Sequence, residues 1–438
     1  MTPRAGAIGV AFVANGMGGP SFLPRLPERQ DALGLSDAGL GLVLVGMAAG
    51  ALAASPLAGR AVGRVGSRPV VVAAALALAA SLWTAGAAPE PVLLFAALAV
   101  IGAADAAMDI AMNANGSAYE RGTGRSILHR LHGAWSLGAL AGAGLAAAAA
   151  GAGVPLTWQL AAVGAVIAAG VLTTRSGLVA TDAAGVTGRE PADPASLIGT
   201  TPPDGRQTTP DAGQTERRQV RADGAVSAAT GTAGDGRRRR RRPAAGPLVV
   251  LGAATIGGAM IEGAPADWSA IRLERLGAGP GVAALGFAAF MAGMLAGRLV
   301  GDHLTDRFGG AAVLRGGMAL VAGGLLAGVV VDQPAVFAVG LVLAGVGASG
   351  FFPLAFSAAG NTPGVAPGAG AATVSLTARL GFLVEPLAMG AMAELMGLRW
   401  AFVAVAGVAV ALAVAATRIV RPSVRGAPPA AVTDVRAC

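Results

Sequence analysis

Apolar stretches long enough to cross a bilayer follow one another along almost the whole chain, separated by short polar turns. A spanning helix needs about 20 mainly apolar residues. Six such stretches lie before residue 176, at 5–26, 37–59, 69–88, 91–116, 128–151 and 155–174. Six more follow residue 245, at 247–268, 281–300, 311–331, 334–358, 368–392 and 398–417. The pattern predicts an all-α membrane protein with twelve transmembrane helices in two six-helix bundles.

Residues 176–245 interrupt this pattern. They are rich in Thr, Gly, Asp and Pro and close with six consecutive arginines, Arg237 to Arg242. So few large apolar residues cannot bury enough surface to offset the entropy of ordering the segment, which predicts a tether without a fixed fold. The expected organisation is a first six-helix bundle at 1–175, a linker at 176–245, a second six-helix bundle at 246–418 and a tail at 419–438.

Composition agrees. Hydrophobic residues make up 54% of the chain and charged residues 13%, against about 25% charged in soluble domains. The net charge of +8 would suggest a nucleic-acid partner in a soluble protein. Every basic residue other than histidine is arginine, and arginine between apolar spans has a simpler cause in membrane orientation. With the N-terminus inside, the inner loops hold Arg60, Arg64, Arg68, Arg121, Arg125, Arg130, Arg298, Arg307 and Arg315, together with the linker and tail. The outer loops hold only Arg25, Arg29, Arg272, Arg275 and Arg399. This bias predicts cytoplasmic termini and a cytoplasmic linker. The arginine run attracts anionic lipid at roughly 1 kcal/mol per residue; no nucleic-acid partner is expected. The first apolar stretch lacks a small-residue cleavage site before Arg25, so it is read as an uncleaved span rather than a signal peptide. Cys438 is the one cysteine, which excludes an internal disulfide.

The halves repeat. An offset of 243 places Leu33-Gly34 on Leu276-Gly277, Gly50 on Gly293, Leu52-Ala53 on Leu295-Ala296, and Arg64 and Gly66 on Arg307 and Gly309. Parallel six-helix repeats are one of the transporter architectures. The loop after the second stretch reads Gly59-Arg60-Ala61-Val62-Gly63-Arg64-Val65-Gly66-Ser67-Arg68, and its counterpart reads Asp302-His303-Leu304-Thr305-Asp306-Arg307-Phe308-Gly309-Gly310. These resemble the loop signature of the major facilitator superfamily, Gly-x-x-x-Asp-Arg-x-Gly-Arg-Arg or Lys. The first copy has Gly63 where the family has Asp, and the second has Asp302 where the family has Gly. The stretches Met112-Asn113-Ala114-Asn115-Gly116 with Glu120-Arg121, Leu131 to Gly138, and Glu262 to Ser269 resemble a bacterial inner-membrane subgroup of that superfamily. The resemblance implies a secondary transporter, not an enzyme, that works as a monomer without a cofactor. It also implies that helices 1, 4, 7 and 10 line a cavity. Asn15, Asp105, Glu262 and the run Ser349 to Pro353 would then converge, and Phe351 and Phe352 would wall a substrate pocket unless they serve only packing. Arg64, Arg68, Asp306 and Arg307, with Gly59, Gly66, Asp302 and Gly309 around them, would gate the cytoplasmic side; topogenesis is the plainer role.

Asp105, Asp109 and Asn113 fall within about 80° of one another on a single helix face. A carboxylate at membrane depth costs roughly 2.5–3.5 kcal/mol on insertion scales, so it should face the bundle interior or water. That makes Asp105 and Asp109 candidates for carrying a proton or contacting substrate; the alternative is a structural bond to neighbouring helices. Glu262 stands between Gly257-Gly258 and Pro265, which would allow a broken seventh helix, a frequent device at transporter sites. An interfacial cap is the alternative there. Asp267 and Trp268 read as the outer boundary, where an amphipathic indole belongs. Arg379 reads as snorkelling to the surface.

Other classes are poorly served. A nucleotide-driven pump needs a P-loop lysine, and the chain has no lysine. His129, His132 and His303 form no metal-ligand spacing. Ala134-Trp135-Ser136-Leu137-Gly138 lacks the first glycine of a serine-hydrolase elbow. A drug antiporter would carry an Arg in helix 4 and a Gly-Pro pair in helix 5, whereas this chain has Asp105 and no such pair. The expectation is a proton-coupled symporter of a small polar or sugar-like metabolite; drug or metabolite efflux and a non-transporting sensor are the alternatives. Reporter fusions at Thr200 and at the C-terminus should both report cytoplasm, and a periplasmic signal from either would overturn the assigned orientation.

Overall fold

The structure, a computed structural model, describes residues 3–124, 127–179, 245–360 and 367–420. The linker with its arginine run, Arg125 and the tail beyond residue 420 lie outside the described residues. Twelve helices among the described residues are long and apolar enough to cross a membrane. They are α1 (Pro3–Phe22), α2 (Asp37–Val65), α3 (Ser67–Ala87), α4 (Pro91–Thr123), α5 (Leu128–Gly151), α6 (Leu156–Thr174), α7 (Ala245–Arg275), α8 (Pro280–Phe308), α9 (Gly310–Val331), α10 (Pro334–Ala348 and Phe351–Gly360), α11 (Pro367–Met396) and α12 (Leu398–Ile419). A 3₁₀ turn, Leu23–Arg25, and a short helix, Leu26–Ala32, extend α1.

Hydropathy located each span but undershot several ends. α2 runs on to Val65, α4 to Thr123, α7 to Arg275 and α8 to Phe308. Hydropathy marks the segment that crosses hydrocarbon, and the helical backbone continues past it. The expected break in the seventh helix is absent, because Pro265 sits inside a continuous α7. The break falls in α10, whose two pieces flank Ser349-Gly350.

Each half makes six crossings, so the chain enters and leaves both halves at one end, here termed the linker end. Helix association in lipid relies on close packing of small residues rather than on a hydrophobic drive. A Cβ on Gly50 of α2 would collide with the Ala99 carbonyl oxygen of α4, and one on Gly102 of α4 with the Met47 carbonyl oxygen of α2. The same offset of 243 reproduces both contacts: Gly293 meets the Val342 carbonyl oxygen, and Gly345 that of Phe290. The turns repeat too, with Gly66 at φ 84° and Gly309 at φ 80°, backbone that favours glycine. Each half also carries one apolar groove, of about 530 Å³ and 540 Å³. Most lining positions correspond under the offset, including Ala54 with Gly297, Leu57 with Val300 and Val65 with Phe308. The internal repeat therefore extends well past the second helix.

The halves meet at the far end, opposite the linker end. α2 packs on α11 and α5 on α8. A Cβ on Gly41 would collide with the Pro386 carbonyl oxygen, and one on Gly390 would lie 2.6 Å from the Asp37 carbonyl oxygen. Gly281 is equally tight against Gly151. Arg275 pairs with Asp37, which also accepts from Gln30 at 2.8 Å. The backbone N–H of Ala38 points to Glu394 at 3.4 Å.

Four of the five arginines assigned to the outer side serve this end. Arg25 is 3% exposed. It holds Glu28 through two nitrogens, donates to Gln159 at 3.1 Å and donates to the Val154 carbonyl at 2.8 Å. Arg29 donates to the carbonyls of Gly86 and Ala88. Arg272, its counterpart in the repeat, pairs with Asp332 in the equivalent loop. At the linker end the loop-signature residues Gly59, Arg64, Asp302, Asp306, Arg307 and Gly309 are exposed and Arg68 is half-buried. No ion pair joins the two loops among the described residues, and Cβ atoms on Gly59, Gly63 or Gly301 would meet nothing within 4 Å. Among the described residues, the ion pair between the halves and the tightest glycine contacts between them lie at the far end.

Gly50→Leu and Gly293→Leu should each destabilise the protein by about 1–3 kcal/mol, the usual cost of overpacking a tight contact. Gly323→Leu, at a position with nothing within 4 Å, should be tolerated. Thermal unfolding of purified protein checks this; equal tolerance at all three positions would overturn the crossing as described.

Candidate functional site

α1 and α5 cross with their backbones touching. A Cβ on Gly16 would collide with the Trp135 carbonyl oxygen, and one on Gly138 with that of Val13. This proximity brings the Trp135 indole onto Asn15, with Nε1 donating to Oδ1 at 2.8 Å. The amide of Asn15 donates in turn to Asp105 Oδ1 on α4 at 2.9 Å and approaches the Asp105 carbonyl at 3.3 Å. Asn15 is 2% exposed. The amide therefore joins three helices with both its oxygen and its nitrogen engaged.

Along α4 toward the linker end, Asp105 is half-buried, Asp109 exposed and Asn113 half-buried. An exposed carboxylate within a spanning helix needs a wet cavity or another polar partner. Asn113 donates to Asp109 Oδ1 at 2.9 Å. His132 of α5 and Arg379 of α11 act electrostatically on the same carboxylate, so both halves contribute to its surroundings.

The second half departs from the first at this level. Gly258 occupies the repeat position of Asn15, and a Cβ there would collide with the Phe351 ring. Phe351 is 1% exposed and meets Phe352 edge-on at 5.3 Å. The half-buried Phe352 stacks on Phe382 of α11 at 6.1 Å and 22°. Glu262, half-buried in α7, lies in the field of Arg298. Arg298 itself sits within α8 rather than in a loop.

Two readings need correction. Arg379 does not snorkel: its Nη1 crosses between the halves and donates to Ser55 Oγ of α2 at 2.5 Å. Trp268 is fully buried and not interfacial, because α7 continues to Arg275. Parts of the Met112–Arg121 stretch are scaffold. Asn115, fully buried, donates to Ser67 and to the Val179 carbonyl at 2.9 Å each. Glu120 accepts from the backbone N–H groups of Ile127 and Leu128 at the start of α5.

Sequence reasoning gave no role to Trp135, Ser55 or Phe382. Trp135 carried a usable signal, since an indole N–H inside an apolar span needs a partner. Phe382 carried none, being one apolar residue in an apolar helix.

The profile of the Major Facilitator Superfamily matches residues 248–435. An uncharacterised MFS-type transporter of Yersinia pestis is 29% identical over 422 residues, covering 94% of each chain. Membrane protein MosC of Rhizobium meliloti is 28% identical over 415 residues, covering 93% of this chain and 88% of its own. Among solved structures, a mutant of the nucleoside transporter NupG aligns with a TM-score of 0.71 at 13% identity, covering 95% of this chain and all of that one. A D-xylose–proton symporter aligns with a TM-score of 0.64 at 13% identity, covering 96% and 98%. The second half of the chain thus matches the Major Facilitator Superfamily directly, and the twelve spans and repeated halves of the whole chain have that superfamily's fold.

Proposed function

We propose that the protein is a secondary active transporter that moves a small polar, sugar-like metabolite by alternating access, in symport with protons. The Asn15–Asp105–Trp135 network carries the reading. It presents a carboxyl group held in place by two helices. The Phe352 and Phe382 rings supply an apolar surface in the other half, with the buried Phe351 packed behind Phe352. A wall of hydrogen-bonding groups facing a wall of rings suits a polar molecule with a flat or puckered-ring face. Asp105 takes up and releases the proton, and Asp109 and Glu262 assist in coupling or substrate contact. Arg64, Arg68, Asp306 and Arg307 hold the linker end shut in the alternate state.

The protein works as a monomer in the bacterial inner membrane. Its termini face the cytoplasm and its arginine run lies against anionic lipid; the excess of arginine on the linker side supports that orientation.

Asp105→Asn preserves shape and can still bond Asn15, but it does not titrate. It should abolish proton-driven accumulation in proteoliposomes while sparing counterflow exchange, and Asp109→Asn should impair accumulation less. A ligand screen by thermal shift supplies the substrate for both assays. If Asp105→Asn still accumulates substrate against its gradient with wild-type pH dependence, Asp105 is structural and Glu262 takes its place as the candidate. Trp135→Phe, which leaves the Asn15 oxygen without its donor, should lower exchange about 10-fold or more, in line with the cost of one unpaired buried polar group. Unchanged exchange would remove Trp135 from the site.

A further inference from the structure

Glu385 of α11 is a carboxyl group 1% exposed inside a spanning helix. Gly263 of α7 makes room for it: a Cβ at that position would lie 2.8 Å from Glu385 Oε2. The Asp267 side chain, also on α7, lies against the Glu385 carboxyl group. No N–H or hydroxyl donor reaches Glu385 Oε1. The Trp268 indole, fully buried, is turned toward the same carboxyl group but its N–H completes no hydrogen bond.

A carboxylate only accepts hydrogen bonds; a carboxyl group donates only when protonated. Two carboxyl groups in contact inside a spanning bundle, with no paired cation, therefore share a proton rather than both ionise. Nearby charges do not remove that requirement. On α11, Arg379 is engaged with Ser55, and Glu394 stands at the start of α2. On α2, the ionisable residues are Asp37, Arg60 and Arg64, and Asp37 is paired with Arg275. On α7, Arg272 is paired with Asp332, Glu274 lies near the far end and Glu262 is in the field of Arg298. α12 carries charge only at its ends, at Arg399 and Arg418, and the second piece of α10 carries none. α8, also packed on α7, carries Arg298, Asp302, His303, Asp306 and Arg307 in its linker-end half, and the segment 23–32 carries Arg25, Glu28, Arg29 and Asp31. Among the described residues no cation is ion-paired to Asp267 or Glu385.

Position gives this proton a consequence. The residue after Glu385 is Pro386, whose carbonyl oxygen is packed by Gly41 of α2 in the far-end closure. We propose that Asp267 and Glu385 form a proton-binding site, separate from Asp105, whose proton joins α7 to α11 and holds the far end shut. Loss of that proton leaves two carboxylates in contact in a low-dielectric interior, where like charges repel strongly. α7 and α11 then part, and the Gly41–Pro386 contact with them. The site loads and unloads from the far side of the membrane, whereas Asp105 does so from the linker side. This rests on the alternating-access part of the proposed function, but not on any substrate or on Asp105 as the coupling residue.

The test reads far-end separation without transport. Cys438→Ser removes the one native cysteine. Glu90→Cys and Gln333→Cys then place spin labels on exposed far-end positions of the two halves. In purified full-length protein, the population with separated labels should grow as pH rises from about 5 to about 9, a range in which shared carboxyl protons can be lost. Glu385→Gln, a permanent donor to Asp267, should abolish this response and leave the far end closed throughout. Asp267→Asn should do the same, and it keeps the test open if Glu385→Gln does not fold. Asp105→Asn should leave the response intact. A wild-type protein without any pH response, a response that survives both substitutions, or one that Asp105→Asn abolishes would each overturn the proposal.

Discussion

Helices in lipid gain little from apolar burial against one another, so what holds them is close contact and polar pairing. Here the close contact is supplied at a few positions without side chains. Gly50 and Gly102 bring α2 onto α4, and Gly293 and Gly345 bring α8 onto α10. Gly16 and Gly138 do the same for α1 and α5. A side chain at any of these would push two backbones apart. The polar bonds that cross the same interfaces reach less than 3.5 Å and would go with them, as in the Asn15–Asp105–Trp135 chain. Packing at the glycines and chemistry at the site are in this sense one constraint.

The repeat keeps its frame and changes its contents. Crossings, left-handed turns and apolar grooves coincide under one offset. The inner surfaces do not. Asn15 in the first half becomes Gly258 in the second, Asp105 becomes Ala348, and Asp109 becomes Phe352. An amide and two carboxyl groups are thereby replaced by space and a ring, and Phe351 moves into the space. The two halves of one repeated frame thus differ at these positions, polar in the first half and aromatic in the second.

The sequence exposed what the bilayer imposes and hid what tertiary contact decides. Span positions were legible because hydrocarbon thickness sets a length that composition must fill. The misreading of Trp268 came from the same rule: its place at the end of an apolar window looked like an interface, but α7 continues to Arg275 and buries it. The shared face of Asp105, Asp109 and Asn113 followed from helical geometry, yet the bond from Asn15 to Asp105 spans 90 positions and that from Arg379 to Ser55 spans 324. No local pattern announces such partners. The expected break near Glu262 failed because proline is tolerated in a spanning helix when neighbours satisfy the freed backbone. α10 instead breaks at Ser349-Gly350, where Pro353 can give the Ser349 carbonyl no helical donor.

Sparse arginine on one side of a membrane protein is ordinarily read as topology alone. In this chain the exceptions are informative individually. Arg25, Arg29 and Arg272 are nine-tenths buried or more, and a buried guanidinium is tolerated only with partners for its donors. Arg29 and Arg272 brace equivalent loops within each half, whereas Arg275 reaches across to Asp37 of the other half. The first two can persist in any arrangement of the halves, because their partners move with them. The Arg275–Asp37 pair cannot, and neither can the Gly41–Pro386 contact beside it. Under the proposed alternating access, separating the far end breaks the Arg275–Asp37 pair and the glycine contacts between the halves at Gly41, Gly281 and Gly390, while the intra-half braces stay whole. That division lets each half move as a body instead of coming apart.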